Sequence, residues 1–105
     1  MSAVQTTMQD HQLTITDMLR HGARVYAGSL VHTWEGDHSR SATYAEVGAR
    51  AERLAGALAA LGIGPGDPVG TLMWNTQEHL EAYLGVPSMG ACLHTLNLRL
   101  FSEQL

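Results

Sequence analysis

Residues 67–105 read DPVGTLMWNTQEHLEAYLGVPSMGACLHTLNLRLFSEQL. Val69 to Trp74 is a short apolar run with the character of a buried parallel strand. Asn75 can cap a helix, with Glu78 three residues on. Leu80, Tyr83 and Leu84 then share one helical face. Pro87 lacks an amide donor and crowds the preceding turn, so it is expected to kink or split this helix, and Gly90 to stop it. Ala91 to Leu96 is a second short apolar strand, and Ser102 is placed to cap a further helix. Helix, strand, helix, strand with short connections predicts an α/β fold with a parallel sheet. Two or three strands are few, because a parallel sheet wants both faces covered and its edges protected. The expected fold is therefore an incomplete parallel sheet with covering helices.

Upstream lies a short helix and a small hairpin. Thr16 can cap the helix, with Met18, Leu19, Ala23 and Tyr26 as its apolar stripe and Gly28 as its stop. Leu30 to Trp34 and Arg40 to Thr43 read as two short strands around the turn residues Gly36-Asp37-His38-Ser39. Thr43-Tyr44-Ala45-Glu46 fits a capping box, in which the hydroxyl takes a free amide and the carboxylate reaches back. Val47, Ala51, Leu54, Ala55, Leu58 and Leu61 follow at helical spacing, with Arg50, Glu52 and Arg53 largely off the stripe. Gly62 ends that helix. The first thirteen residues are polar and read as a flexible N-terminus, leaving 14–105 as a partial α/β subdomain.

The 105 residues are 45% apolar, which suits one small globular unit and argues against disorder. Net charge is 6 − 10 = −4 with histidine neutral. No basic run invites a nucleic acid backbone. No signal-peptide pattern opens the chain, and no window nears the roughly 18 apolar residues of a membrane span. The expectation is a cytoplasmic protein. Cys92 is the only cysteine, so no intrachain disulfide can form, and its apolar neighbours predict a small buried side chain.

Few motifs carry chemistry. Gly62-Ile63-Gly64-Pro65-Gly66 does not have dinucleotide spacing, and it follows a helix where a phosphate cradle follows a strand, so it reads as a turn. None of the six histidines is spaced from another, or from Cys92, as metal ligands are. They read as surface groups or as groups standing behind a ligand-contacting layer. His94 stands apart, near the carboxyl end of the second strand, the end where open α/β sheets bind ligands; a hydrogen-bonded core histidine is the competing expectation. Glu78 and Glu81 share a helical face and suit the positive start of a helix.

A family resemblance rests on specific residues. Thr43-Tyr44-Ala45-Glu46 and then Ala55-x-x-Leu58-x-x-Leu61-Gly62-Ile63-x-x-Gly66-Asp67-x-Val69 resemble the opening of the acyl-adenylate-forming (AMP-binding) enzymes. Trp74-Asn75-Thr76, His79-Leu80-Glu81-Ala82-Tyr83, Val86-Pro87, Met89-Gly90-Ala91, His94-Thr95-Leu96-Asn97-Leu98-Arg99-Leu100 and Glu103-Gln104 are similar to the medium- and long-chain fatty acyl-CoA ligases among them. The resemblance covers about residues 14–105 and only a minor N-terminal portion of the family's enzymes.

The resemblance implies a two-step reaction. A fatty acid carboxylate attacks the α-phosphate of ATP with magnesium, giving acyl-adenylate and pyrophosphate, and coenzyme A then displaces AMP. ATP, Mg2+ and coenzyme A are thus implied for the full-length family enzyme and none for this chain alone. The family's phosphate loop, its adenine and ribose motifs and its catalytic lysine have no counterpart here, so no catalytic, cofactor-binding or metal residue is carried over. Trp74, Asn75, His94, Asn97 and Arg99 match the family pattern and read as scaffold. His94, Asn97 and Trp74 are the substrate-side candidates, shaping the acyl site from behind. The expected partner is the remainder of a ligase chain. The competing expectation is a stand-alone interaction module that completes its sheet with a second copy of itself.

Overall fold

The computed structural model describes Gln5 and residues 7–105. Residues 1–4 and 6, part of the stretch read as a flexible N-terminus, lie outside the described residues.

Helix α1 spans Ile15–Val25. Thr14, not Thr16, caps it: Thr14 has extended backbone, and its hydroxyl accepts the Asp17 amide at 3.2 Å. The helix stops at Val25, before Gly28, with the Tyr26 amide still bonded to the Gly22 carbonyl. Strands β1 (Leu30–Trp34) and β2 (Ser39–Thr43) form the expected antiparallel hairpin, registered from Leu30↔Thr43 to Trp34↔Ser39. Helix α2 spans Tyr44–Ala60 and opens on the capping box, with Thr43 and Glu46 exchanging two hydrogen bonds of 3.1 Å.

Strand β3 (Pro68–Thr71) and strand β4 (Cys92–Thr95) pair in parallel, from Pro68↔Cys92 to Thr71↔Thr95. Both are shorter than the apolar runs that announced them. Leu72 to Trp74 leave the ladder because no strand lies opposite them among the described residues. Helix α3 spans Gln77–Ser88, and its cap is Thr76 rather than Asn75, the Thr76 hydroxyl accepting the His79 amide. Pro87 neither splits the helix nor sits in its middle. It occupies the last turn with one helical residue after it, so its missing donor costs a bond only in that turn. Gly90 follows at φ +85°, the left-handed conformation that ends helices. Ser102 caps no helix: residues 102–104 form a turn closed by the Gln104 amide on the Phe101 carbonyl.

The apolar core is built of small side chains: Ala42, Val47, Ala51, Ala82, Val86 and Ala91. Small residues let the helices approach closely. A Cβ at residue 85 would sit 2.8 Å from the Ala51 carbonyl oxygen, so α2 and α3 meet backbone to backbone there. Gly48 makes room for α1, its would-be Cβ lying 2.8 Å from the Ala23 side chain. The stripe on α2 is buried only at its start. Leu61 is 81% exposed, because no described element covers the far end of the helix.

Two side chains depart from expectation. Cys92 is exposed rather than buried, and His94 is exposed rather than a core histidine. Two apart on β4, they share a strand face that nothing described covers, while Leu93 between them turns the other way. Of the two readings given to the histidines, His79 does not take the surface one: it is only 5% exposed.

Candidate functional site

The loops that leave the carboxyl ends of β3 and β4 lie side by side. The Leu96 amide donates to the Thr71 carbonyl at 2.8 Å, carrying the pairing one step past the last strand residues. From this end the chain departs through 72–76 toward α3 and through 96–99 toward the C-terminus. Trp74 rides on the first loop, 70% exposed. Asn97 rides on the second, where its side-chain oxygen accepts the Arg99 amide at 2.9 Å and so shapes its own turn. His94 stands on β4 opposite Gly70. The three candidate residues are thus brought to one end of one sheet, and no hydrogen bond joins them among the described residues. Leu72 on the first segment, and Leu100 and Phe101 just past the second, add exposed apolar surface.

Behind this end lies polar structure that sequence reasoning missed. Thr71 and His79 are both buried, and Thr71 Oγ1 lies 2.9 Å from His79 Nε2. The His79 ring packs on Tyr83 with centroids 4.9 Å apart, and its Nδ1 has no hydrogen-bond partner. On either side of His79 in α3, Gln77 and Glu81 are also buried. Glu81 Oε2 accepts from Arg50 Nε and from Gln77 Nε2, each at 2.8 Å. The Gln77 amide donates to Thr33 Oγ1 at 3.1 Å, tying the hairpin to the start of α3. Arg40 of the hairpin donates to Glu35 and, at 2.6 Å, to Glu78 Oε2. The Arg40 guanidinium holds the Glu78 carboxyl below its ordinary range, and the two carboxylates hold Arg40 firmly protonated. The Glu81 carboxylate likewise raises Arg50. Glu78 and Glu81, expected as charges suited to a helix start, are one side each of two ion pairs. Their arginines lie 38 and 31 residues away, so no spacing rule could have found them.

The arrangement ties the hairpin, α2 and α3 together behind an exposed sheet end. Among the described residues no three His, Cys, Asp or Glu side chains gather as a metal site would need. The glycine turn after α2 offers no phosphate cradle, because Asp67 Oδ2 already takes the Gly64 amide at 2.8 Å. No chemical step is assigned to the described residues.

Comparison with known proteins gives the family. The description "AMP-binding enzyme" belongs to the family whose pattern matches residues 19–105. The chain is 46% identical over 109 aligned positions to a long-chain-fatty-acid–CoA ligase of Thermus thermophilus, covering 100% of this chain and 20% of that protein. It is 40% identical over 100 positions to a medium-chain-fatty-acid–CoA ligase of Ectopseudomonas oleovorans, covering 93% of this chain and 18% of that one. Among solved structures, a fatty acyl CoA synthetase of Mycobacterium tuberculosis superposes with TM-score 0.77 at 34% identity, covering 87% of this chain and 18% of that chain. The chain spans about a fifth of the length of these relatives. No helix among the described residues is long and apolar enough to cross a membrane. With a family match over most of its length, this chain belongs to the AMP-binding enzymes.

Proposed function

We propose that residues 14–105 form the first part of the N-terminal domain of a fatty acid–CoA ligase. In that enzyme the acid is activated by ATP and Mg2+ to an acyl-adenylate, and coenzyme A then takes the acyl group. The observation that carries the reading is the likeness, at 46% and 40% identity over nearly the whole chain, to ligases named for long- and medium-chain fatty acids. The short two-stranded sheet supports it, since the remainder of a ligase chain would pair its open edges and leave no need for a second copy.

On this reading the chain alone activates nothing. It contains no lysine, all six of its basic residues being arginine, and the family's catalytic lysine and phosphate loop have no counterpart. Trp74, His94 and Asn97, at the carboxyl end of the sheet, border the acyl side from behind the residues that touch the acid.

The test is to assay the complete reading frame and residues 1–105 in parallel. ATP-dependent pyrophosphate release with octanoate or palmitate, followed by thioester formation with coenzyme A, is expected from the former only. Release with benzoate but with neither fatty acid would overturn the fatty acid assignment. Activity from residues 1–105 alone would overturn the scaffold role.

A further inference from the structure

The buried pair Thr71–His79 has a geometry that a packing role leaves unexplained. Thr71 is the last residue of β3, and His79 lies in the first turn of α3. Their side chains meet at 2.9 Å and so close the loop 72–76 at its base. The same Thr71 holds the start of the other loop through its carbonyl, which accepts the Leu96 amide at 2.8 Å. One residue therefore ties the departure points of both loops, and His79 is the side chain that holds it from the helix. The ring makes no other hydrogen bond among the described residues, since Nδ1 is unpartnered. A buried ring with one nitrogen already unpaired has strong reason to keep the other on Thr71.

We propose that His79 is a positioning residue, fixing through Thr71 the loop that carries Trp74 and the loop that carries Asn97. The consequence for acid binding rests on the ligase reading above; the tethering of the loops does not. His79 touches no reacting atom. It acts by holding Thr71, and hence the two segments that border the acid, in one geometry.

Two measurements on the complete chain test this. The first is hydrogen exchange. The Leu80 and Leu96 amides, bonded to the Thr76 and Thr71 carbonyls, bracket the tethered region. Thr71→Val and His79→Leu should each speed both amides about tenfold, the size of one net hydrogen bond. His79→Gln, with an amide group of similar reach, should stay within about twofold of the parent. The Cys92 amide, bonded to the Asp67 carbonyl at the opposite end of the sheet, should not change. Unchanged Leu80 and Leu96 amides, or equal acceleration at Cys92, would overturn the proposal.

The second measurement is steady-state kinetics. Thr71→Val and His79→Leu should raise KM for the fatty acid about tenfold while KM for ATP and kcat stay within about twofold, and His79→Gln should restore the parent value. Losses spread evenly over acid, ATP and turnover would mean general damage and would also overturn it. If the complete chain activates no fatty acid, the ligase reading fails, and exchange alone decides the tether.

Discussion

Arg50 Nε donates to Glu81 Oε2 at 2.8 Å, joining α2 to α3 where Glu81 is 4% exposed. A carboxylate so buried needs its partners, because an unpaired charge loses its water without compensation. Glu81→Ala should lower stability by about 2 kcal/mol, the range of hydrogen bonds to a charged group. Arg50→Ala should lower the urea midpoint too, and the double variant should fall little further than Glu81→Ala. Independent, additive losses would show that the two do not act as a pair.

Gly85→Ala puts a methyl group 2.8 Å from the Ala51 carbonyl oxygen, a backbone atom that cannot rotate away. A loss of about 1–3 kcal/mol is expected from overpacking, even though alanine is the better helix former. Gly56→Ala in the middle of α2 meets nothing within 4 Å and should instead stabilise by about 0.5–1 kcal/mol. Thermal denaturation of the two variants should move in opposite directions.

Capping separates neighbouring residues. Thr76→Ala should cost about 1 kcal/mol, because its hydroxyl serves the first turn of α3. Asn75→Ala should cost much less, since no cap bond uses its side chain. Equal losses on urea unfolding would return the cap to Asn75.

The Glu78–Arg40 pair gives a pH signature. Arg40 depresses the Glu78 carboxyl below its ordinary value of 4.5, so the folded state binds that proton less readily than the unfolded chain. The pair's stabilisation is therefore complete above pH 4.5 and is lost as pH falls below it through the lower folded value. Urea midpoints between about pH 6 and 3 should fall less steeply for Glu78→Gln than for the parent. Because both side chains are partly exposed, 0.5 M salt should shrink the difference.

Much of this fold was legible in the sequence. Local signals carried it: the capping box at Thr43 and Glu46, the turn between Trp34 and Ser39, the two apolar runs around α3, and Gly90 at its end. Each works over a few residues, where spacing and chemistry suffice. The cap at Thr76 was missed by one residue because Asn75 is an equally good capping type, and backbone conformation chose between them. Exposure of Cys92 and His94 could not be read, because an apolar context says nothing of whether another layer exists to cover it. The Thr71–His79 contact and the two arginine pairs depend on which helix faces come together. That is decided by long-range packing, so these polar contacts were invisible, while Trp74 and Asn97 were singled out by the family resemblance.

The alanine-and-glycine seam between α2 and α3 sets an unusual map of permissible change. In most cores the damaging substitutions remove bulk and leave holes. At Ala51, Ala82 and Gly85 there is almost no bulk to remove. Sequence drift here is therefore open in one direction only, toward larger residues, and where Gly85 meets Ala51 that direction is closed by touching backbones. The seam should vary less among descendants of this sequence than larger apolar positions such as Leu54 or Leu58, which can exchange for other shapes of similar volume.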